Sequence, residues 1–407
     1  MSRSEFAALL TAAAVRERAH ELLEIGLADG LEHWRVDLSR LDATVDFTAQ
    51  VIRDRYPELA VPFHARWRHF ALGGRDLWAQ MAGRPADPAA RARAAFDLAI
   101  TSVLLDAGAG PGWRYRDAAT GLEAARSEGL AIASLRLFEQ GGFSLQPADP
   151  LRADAAALER LDAAALGAAF QAGPANPLLG LEGRAALLRR LGAQALARPD
   201  LFALADAARP GGLFDALAQR AQGGRLEAPV ILEVLLEALG PIWPDRLTLD
   251  GVALGDCWRH PALRRADATD GLVPLHKLSQ WLAYSLIEPL EAAGVAVTGI
   301  DGLTGLAEYR NGGLFYDLGV VVLKRPADAA AAHGVADPLV VGWRALTVAL
   351  LDRLAPLVRE RLGVDAAAFP LARVLEGGTW AAGRIAARKA RDGGGPPLAI
   401  ISDGTVF

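Results

Sequence analysis

The chain has 407 residues, 52% of them hydrophobic and 22% charged, and this balance excludes an intrinsically disordered protein. The formal net charge is −5 and arginines are interspersed with acidic residues, which argues against a nucleic-acid-binding or membrane-binding surface. One cysteine, Cys257, excludes an internal disulfide framework and fits a reducing compartment, so we expect a cytoplasmic protein whose partner is a small molecule.

The N-terminal stretch is amphipathic and is interrupted by Arg16, Glu17 and Arg18, so it does not read as a signal peptide. No run of about 18 uncharged apolar residues occurs, and we therefore expect no membrane-spanning segment.

Most windows repeat apolar residues at spacings of three and four, which predicts amphipathic helices that pack on one another. The predicted helices are 5–27, 42–56, 63–82, 88–106, 121–140, 153–171, 181–196, 212–222, 228–239, 274–293, 338–362 and 372–391. We expect a mainly α protein that folds as one continuous helical unit, with sublobes 1–150 and 225–407 bridged by helices in 151–224.

Strand signals are few and local. Asp250 and Gly251 separate two short alternating runs, which is typical of a two-residue β-hairpin. Three β-branched runs, at 295–300, 318–324 and 397–402, predict further short strands.

The glycine-rich run VLLDAGAGPG at 103–112 raises the question of a nucleotide-binding loop. Such a loop needs a strand before it and a helix after it, within an alternating βα pattern. Here a helical pattern precedes the glycines and Pro111 follows them, which favours a turn that ends a helix. Asp106, Trp113, Arg114 and Tyr115 flank this turn, and the set is suited equally to holding a sugar and to covering the core.

Metal and nucleophile signals are weak. Cys257 and His260 have a metal-like spacing, but a structural zinc site needs four ligands and no second pair is suitably spaced. His64 and His69 are interpreted as solvated or core-capping residues, and no GxSxG motif occurs. We predict no metal site and no cofactor.

One helical face in the stretch 270–294 combines Lys277, Trp281 and Tyr284, with Gln280 beside it. A cation, an amide and two aromatic rings suit a small polar ligand that stacks and forms hydrogen bonds. The alternative is a lysine that extends to solvent and aromatic rings packed between helices.

A polar segment with six glycines, GIDGLTGLAEYRNGGLFYDLG, follows. It carries Asp301, Glu308 and Asp317 together with Arg310, so one carboxyl group can stay ionised while the pKa of another rises, as acid–base catalysis requires. The alternative is a turn network in which acidic side chains accept hydrogen bonds from backbone donors.

Near the C-terminus, helical spacing places Trp380, Arg384, Arg388 and Arg391 on one face. Guanidinium groups match phosphate oxygens, although a solvated basic face is the commoner outcome of this pattern.

Five motifs in order, VLLDAGAGPGWRYRD, RSEGLAIASLRLFEQGGFS, PLHKLSQWLAYSLIEPLE, GLAEYRNGGLF and ISDGTVF, resemble the uracil-catabolism family of fungi and bacteria in the URC pathway. The resemblance spans nearly the whole chain. It implies a step in the degradation of uracil through ribosylurea, from which urea is released.

The chain is more distantly similar to the queuosine salvage ribohydrolases, helical proteins related in shape to DNA glycosylases. Their LDA motif resembles Leu105, Asp106 and Ala107, and their YRVPQ motif is similar to the stretch around Lys277 and Gln280. The aspartate that precedes YRVPQ in those enzymes has no clear counterpart here, so a catalytic carboxylate has to come from elsewhere.

Together these resemblances imply a hydrolase of N-glycosyl bonds that cleaves ribosylurea or its 5′-phosphate through an oxocarbenium-like state. The expected partner is a nucleoside-like or nucleotide-like small molecule, with no nucleic acid and no membrane, and the oligomeric state is left open. The alternatives are an amidohydrolase that opens a modified pyrimidine ring, a non-catalytic metabolite-binding subunit and a methyltransferase.

We expect the site residues to line one cavity. The candidate catalytic carboxylates are Glu308, Asp301, Asp106 and Asp317. The candidate substrate-binding residues are Trp113, Tyr115, His276, Lys277, Gln280, Trp281, Tyr284, Tyr309, Arg310, Asn311 and Arg384.

Overall fold

A computed structural model describes residues 5–401 of the chain, and its elements are predominantly helical, which confirms the mainly α class. The α-helices are α1 (Ala12–Leu27), α2 (Leu41–Arg55), α3 (Pro88–Leu104), α4 (Arg126–Glu139), α5 (Ala155–Glu159), α6 (Ala163–Ala169), α7 (Leu181–Ala197), α8 (Pro199–Phe202), α9 (Gly212–Ala218), α10 (Ala228–Leu239), α11 (Lys277–Ala292), α12 (Tyr309–Asp317), α13 (Pro338–Leu362), α14 (Leu371–Arg373) and α15 (Trp380–Ala390). A π-helical segment, Val374–Thr379, joins α14 to α15.

The strands are short and each pairs with a single neighbour. They are β1 (Trp34–Val36), β2 (Ala71–Leu72), β3 (Arg75–Asp76), β4 (Tyr115–Arg116), β5 (Glu123–Ala124), β6 (Arg225–Glu227), β7 (Thr248–Leu249), β8 (Val252–Ala253), β9 (Cys257–Arg259), β10 (Leu272–Pro274), β11 (Ala296–Thr298), β12 (Val321–Leu323), β13 (Ala332–Gly334) and β14 (Ala399–Ile401). The pairs are β1–β12, β2–β3, β4–β5, β7–β8 and β9–β10, all antiparallel, and β6–β11 and β13–β14, both parallel.

Several local predictions are confirmed. Asp250 and Gly251 have positive φ angles of 49° and 73° and form the two-residue turn between β7 and β8. The three β-branched runs contain β11, β12 and β14. Helix α3 ends at Leu104 and the glycine-rich run follows it as irregular backbone, which confirms the interpretation of a turn that ends a helix. The terminal motif ISDGTVF lies, beyond Ile401, outside the described residues.

Other local predictions are wrong. The stretch 63–82 contains a 3₁₀ turn, Arg66–Phe70, and the β2–β3 hairpin, because Gly73 and Gly74 take positive φ angles that end a helical path. The predicted helix 153–171 is divided into α5 and α6. Helix α12 was not predicted, since its two glycines made the segment resemble a loop.

By internal contacts the chain divides into two compact units. Unit 1 comprises Met1–His64, Asp245–Gln280 and Gly299–Phe407, and unit 2 comprises Ala65–Pro244 and Trp281–Thr298. The boundary crosses α11 after its first turn. The sublobes 1–150 and 225–407 stay a prediction.

Unit 1 is organised around α13, whose side chains are almost all buried from Leu339 to Leu351. Helices α1, α2 and α12 pack against α13, and α12 also packs closely against α15. That close approach requires glycine at position 383, because a Cβ there would overlap the carbonyl oxygen of Arg310.

Unit 2 is organised around α3, whose residues 94–104 are all buried. Helices α4, α7 and α9 pack against it. Within this core Asp97 accepts hydrogen bonds from the guanidinium of Arg209 and from the backbone N–H of Gly211. Burial raises the pKa of Asp97, and the arginine opposes that rise.

None of the helices described between residues 5 and 401 is long and apolar enough to span a membrane.

Candidate active site

A buried ion pair in unit 1 fixes the starts of two helices that carry predicted site residues. The carboxylate of Asp256 accepts two hydrogen bonds of 2.7 Å from the guanidinium of Arg344. It also accepts the backbone N–H of Lys277 at 2.9 Å, at the first residue of α11. Arg344 donates in addition to the carbonyl of Ala307, beside Glu308. The ion pair therefore fixes the backbone at Lys277 and next to Glu308 through hydrogen bonds.

Asp256 remains ionised. Burial alone would raise its pKa, but the charge and hydrogen bonds of Arg344 outweigh burial and hold the pKa well below its ordinary value. A buried, fully hydrogen-bonded ion pair of this kind fixes geometry more reliably than it adds stability.

Glu308 is the N-cap of α12. One carboxylate oxygen accepts the backbone N–H of Arg310 at 2.7 Å, and the other accepts that of Asn311 at 2.6 Å. The residue is only 9% exposed, and burial raises its pKa. The two backbone N–H groups and the charges of Lys277 and His64 oppose that rise.

His64 and Glu376 form a second polar pair in unit 1. The Nδ1 atom of His64 lies 2.7 Å from Oε2 of Glu376, and the two side chains are 6% and 9% exposed. The Trp380 ring packs beside the imidazole with a centroid distance of 5.9 Å. A histidine and a carboxylate so deeply buried are uncommon unless they pair.

We call four residues of unit 1 the acid–histidine cluster: Glu308, His64, Glu376 and Lys277. The charges of Lys277 and His64 both act on the ionisation of Glu308, and Glu376 contacts His64. Lys277 is half-buried, while the other three keep only a narrow accessible edge. Two acids, an imidazole and an ammonium group in low-dielectric surroundings form a unit that can hold and transfer a proton.

Several buried polar atoms of unit 1 lack a hydrogen-bond partner among residues 5–401. Two of them lie on neighbouring elements: Oδ1 of Asn311, in α12, and Oγ1 of Thr379, at the end of the π-helical segment. Helix α12 packs against that segment. Because most buried polar atoms in folded proteins are hydrogen-bonded, such atoms mark places where a ligand or water supplies the partner.

Asp301 and Asp317, also predicted as carboxylates, are bound to arginine. Asp301 accepts Nη2 of Arg359 at 2.6 Å and the backbone N–H of Leu371 at 2.6 Å. Asp317 makes a two-point ion pair with Arg391. A cavity of about 400 Å³ beside Asp317 is lined mainly by apolar groups such as Phe47 and Ala386. These contacts tie chain segments together.

The remaining predicted residues of unit 1 lie at and around the two helix starts. Gln280 donates to Thr304 at 2.8 Å, and His276 bonds through Nε2 to the carbonyl of Leu9 at 3.0 Å. His276 has a positive φ of 46°, an uncommon conformation for a non-glycine residue. Arg310 lies over the ring of Tyr309.

Arg384 stacks over the ring of Trp380, at 4.9 Å from its centroid. Trp380 in turn contacts His64, so Arg384 lies one residue away from the acid–histidine cluster.

Unit 2 holds a different polar group, the arginine–aspartate cluster of Arg66, Asp106, His69 and Trp281. The fully buried guanidinium of Arg66 lies 3.1 Å from Oδ2 of Asp106 and 3.3 Å from Nδ1 of His69. It also stacks on the ring of Trp281 at 5.5 Å. Oδ1 of Asp106 is buried and accepts no hydrogen bond from the described part of the chain.

Burial lowers the pKa of Arg66, and the negative charges of Asp106 and Glu128 oppose that decrease. The guanidinium is anchored by Ser102, through its hydroxyl at 2.8 Å and its carbonyl at 3.2 Å.

Three aromatic residues predicted to bind substrate lie in unit 2. Trp113 is fully buried, stacks on Phe170 and donates its indole N–H to the carbonyl of Phe170 at 3.0 Å. Tyr115 begins the short strand β4, and burial raises its pKa. Tyr284 is fully buried in α11.

The structure thus brings Glu308, Lys277 and Asn311 into one part of unit 1 and places Asp106 and Trp281 together in unit 2. The single cavity shared by all predicted residues stays a prediction. No sequence pattern predicts Glu376 as a site residue, and the sequence interpretation of His64 is a solvated or core-capping residue. The one available signal was the Gly377–Gly378 pair inside an otherwise helical pattern.

Within residues 5–401, no three His, Cys, Asp or Glu side chains are arranged to hold a metal ion. Cys257 is buried, and desolvation raises the pKa of its thiol well above the ordinary value, so it is not an activated nucleophile.

Comparison with known proteins finds a matching protein family and similar named proteins. A family described as "Protein of unknown function (DUF1688)" matches residues 8–407. Protein urg3 of Schizosaccharomyces pombe is 39% identical over 421 residues, which cover 100% of both chains. Uracil catabolism protein 4 of Lachancea kluyveri is 38% identical over 97% of each chain. These matches confirm the resemblance to the uracil-catabolism family, and the chain belongs to the DUF1688 family.

Proposed function

We propose that this protein acts in uracil catabolism as an N-glycosidic hydrolase, which cleaves ribosylurea or its 5′-phosphate to urea and ribose or ribose phosphate. The name of the Lachancea kluyveri relative supports the pathway. The observation that carries the reaction is Glu308, a buried carboxylate without an arginine counterion among its hydrogen-bond partners and with a raised pKa.

Cleavage at the anomeric carbon develops positive charge on the sugar ring, and a fixed carboxylate nearby stabilises that charge. The same group accepts a proton from the attacking water. A carboxyl whose pKa is raised towards the working pH is a stronger base than an ordinary glutamate and is still partly ionised. Burial supplies that rise at Glu308, while Lys277 and His64 limit it.

The surroundings of Glu308 suit a sugar with a phosphate. Oδ1 of Asn311 and Oγ1 of Thr379 offer hydrogen-bonding capacity for hydroxyl or urea groups. The ammonium group of Lys277 provides the positive charge that a 5′-phosphate requires. All these residues belong to unit 1.

The direct test is to incubate the purified full chain with ribosylurea and with its 5′-phosphate and to measure free urea. We expect Glu308→Gln to lower kcat about 10³-fold, the middle of the range for a general acid or base. Its amide oxygen still accepts a backbone hydrogen bond, so the start of α12 persists. The matched control is Asp317→Asn, which removes a carboxylate from the same helix and leaves kcat within about threefold.

Release of urea from neither compound by the wild-type protein would refute the proposed reaction. Full activity of a correctly folded Glu308→Gln variant would move the catalytic carboxylate elsewhere.

A further inference from the structure

We propose that His64, held by Glu376, is the acid that protonates the leaving nitrogen of urea in this site. The inference rests on the proposed function and adds to Glu308 a second catalytic residue of opposite role. Neither His64 nor Glu376 is among the residues that the sequence patterns predict for the site.

The pair has the geometry of an oriented imidazole. An ionised carboxylate only accepts hydrogen bonds, so the 2.7 Å contact to Oε2 of Glu376 places a proton on Nδ1 of His64. The second nitrogen, Nε2, is then the one that exchanges a proton. A buried carboxylate that fixes the tautomer and orientation of a histidine is the arrangement that acid–base enzymes use repeatedly.

The backbone that carries Glu376 is unusually well fixed. Arg55, at the end of α2, donates to the carbonyl of Glu376 at 3.0 Å. The next two residues are glycines that pack on α2, and a Cβ at Gly378 would lie 2.8 Å from Cγ2 of Thr48. π-Helical turns of this kind occur frequently at functional sites.

The acid–histidine cluster is poorly hydrated, since His64, Glu376 and Glu308 are each below 10% exposed. In such surroundings a hydrogen bond to a carboxylate is stronger than in water, so Glu376 holds the imidazole of His64 firmly. The proposal places the proton that is donated to the substrate on Nε2, because Nδ1 is bound to Glu376.

The reaction needs that proton. As the bond between the anomeric carbon and nitrogen breaks, its electron pair moves to nitrogen, and a urea anion is a poor leaving group. Nε2 of His64 gives its proton to that nitrogen, so urea departs neutral. A water oxygen bonds to the anomeric carbon, and its proton passes to Glu308. Proton return from Glu308 to His64 through solvent restores the starting state.

The experiment compares two substrates. Ribosylurea needs a proton on its leaving group, whereas a pyridinium riboside such as nicotinamide riboside expels a neutral base without one. We expect His64→Gln to lower kcat for ribosylurea about 10²- to 10³-fold and to leave pyridinium riboside cleavage within about threefold. Glu308→Gln is expected to reduce both, because both pass through the same cationic sugar.

A second measurement uses His64→Gly with added imidazole. Restored urea release supports the proposal. It is overturned if His64→Gln keeps wild-type activity on ribosylurea, or if imidazole does not restore activity while both substrates lose activity equally. If the wild-type protein does not cleave the pyridinium riboside, the imidazole result decides alone. If the wild-type protein releases no urea at all, the proposed N-glycosidic reaction is refuted, and the role proposed for His64 is refuted with it.

Glu376 is a positioning residue in this scheme. We expect Glu376→Gln to lower kcat for ribosylurea about 10²-fold with KM unchanged, since misorienting a catalytic group has that order of cost. We expect no such loss in the cleavage of the pyridinium riboside. A merely structural defect would instead slow the cleavage of both substrates. The matched control is Glu360→Gln, an exposed glutamate of unit 1.

Discussion

The acid–histidine cluster of unit 1 and the arginine–aspartate cluster of unit 2 contain similar groups in different balance. Each has an acid, a histidine and a cation. In unit 2 the acid faces a fully buried guanidinium 3.1 Å away, and the opposite charges compensate each other. In unit 1 Glu308 is bound by two backbone N–H groups, and its pKa is raised by burial.

The difference shows what makes a buried carboxyl reactive. A permanently charged arginine at contact distance keeps a carboxylate ionised, so it binds well but exchanges protons poorly. Backbone donors and a partly exposed lysine stabilise the anion less, so burial raises the pKa of Glu308 above its ordinary value and a proton is gained more readily. The two clusters are therefore suited to different tasks.

The largest expected effect separates the two acids. In the urea-release assay we expect Asp106→Asn to lower kcat less than about tenfold, against about 10³-fold for Glu308→Gln, because Asp106 is committed to Arg66. Circular dichroism and the activity per folded molecule are compared for both variants. An equal or greater loss in folded Asp106→Asn would move the catalytic acid to unit 2 and reverse the comparison.

The next effect concerns stability. Arg66→Met leaves Asp106 buried beside an apolar group, and we expect a loss of about 3–5 kcal/mol in the free energy of unfolding. Lys277→Met, the corresponding change in unit 1, removes a half-buried cation and should cost about 1 kcal/mol or less. Urea unfolding of the three proteins measures both values. Similar losses in the two variants would mean that Arg66 and Lys277 stabilise their neighbouring acids to the same degree.

The smallest effect is a dependence on pH. Because the folded pKa of Glu308 is raised, its favourable contribution is fully present below the ordinary value of 4.5 and is lost as pH rises through the folded pKa. Wild-type stability should therefore fall relative to Glu308→Gln between pH 5 and pH 8, as urea unfolding at both values would show.

Asp117 of unit 2 affects the pH dependence of stability in the opposite direction to Glu308. Burial raises its pKa, but its hydrogen bonds with Arg136 and Thr120 dominate and lower it. Its contribution is present above the ordinary value of 3.8 and is lost as pH falls. Asp117→Asn should therefore show no change relative to wild type between pH 5 and pH 8. A parallel trend in both variants would remove the distinction between the two kinds of acid.

Much of the fold could be predicted because most helices carry their pattern locally. The 3.6-residue periodicity located α2, α3, α7, α10 and α13 within one or two residues of their observed ends. The secondary-structure predictions were wrong where tertiary contacts, and not the local sequence, determine the structure. Helix α12 forms despite two glycines because its glycine-rich face allows close packing, as at Gly312 against Trp343.

The candidate site was predictable only in part. Glu308, Lys277 and Asn311 stand in polar segments whose composition indicated a site. His64 and Glu376 are 312 residues apart in sequence, and only the folded chain shows that their side chains meet. Conversely, Asp301 and Asp317 looked equivalent to Glu308 until their arginine partners, Arg359 and Arg391, were visible in space.

The π-helical segment Val374–Thr379 sets the angular position of everything that follows it in α15. A π turn accommodates one residue more than an α turn, and in an α-helix each residue turns the chain by about 100°. Deleting one residue here would restore regular winding and would rotate Glu376 relative to Trp380 and Arg384. The alignment of acid, indole and guanidinium thus depends on a single inserted residue, a step small enough for one codon to create or abolish.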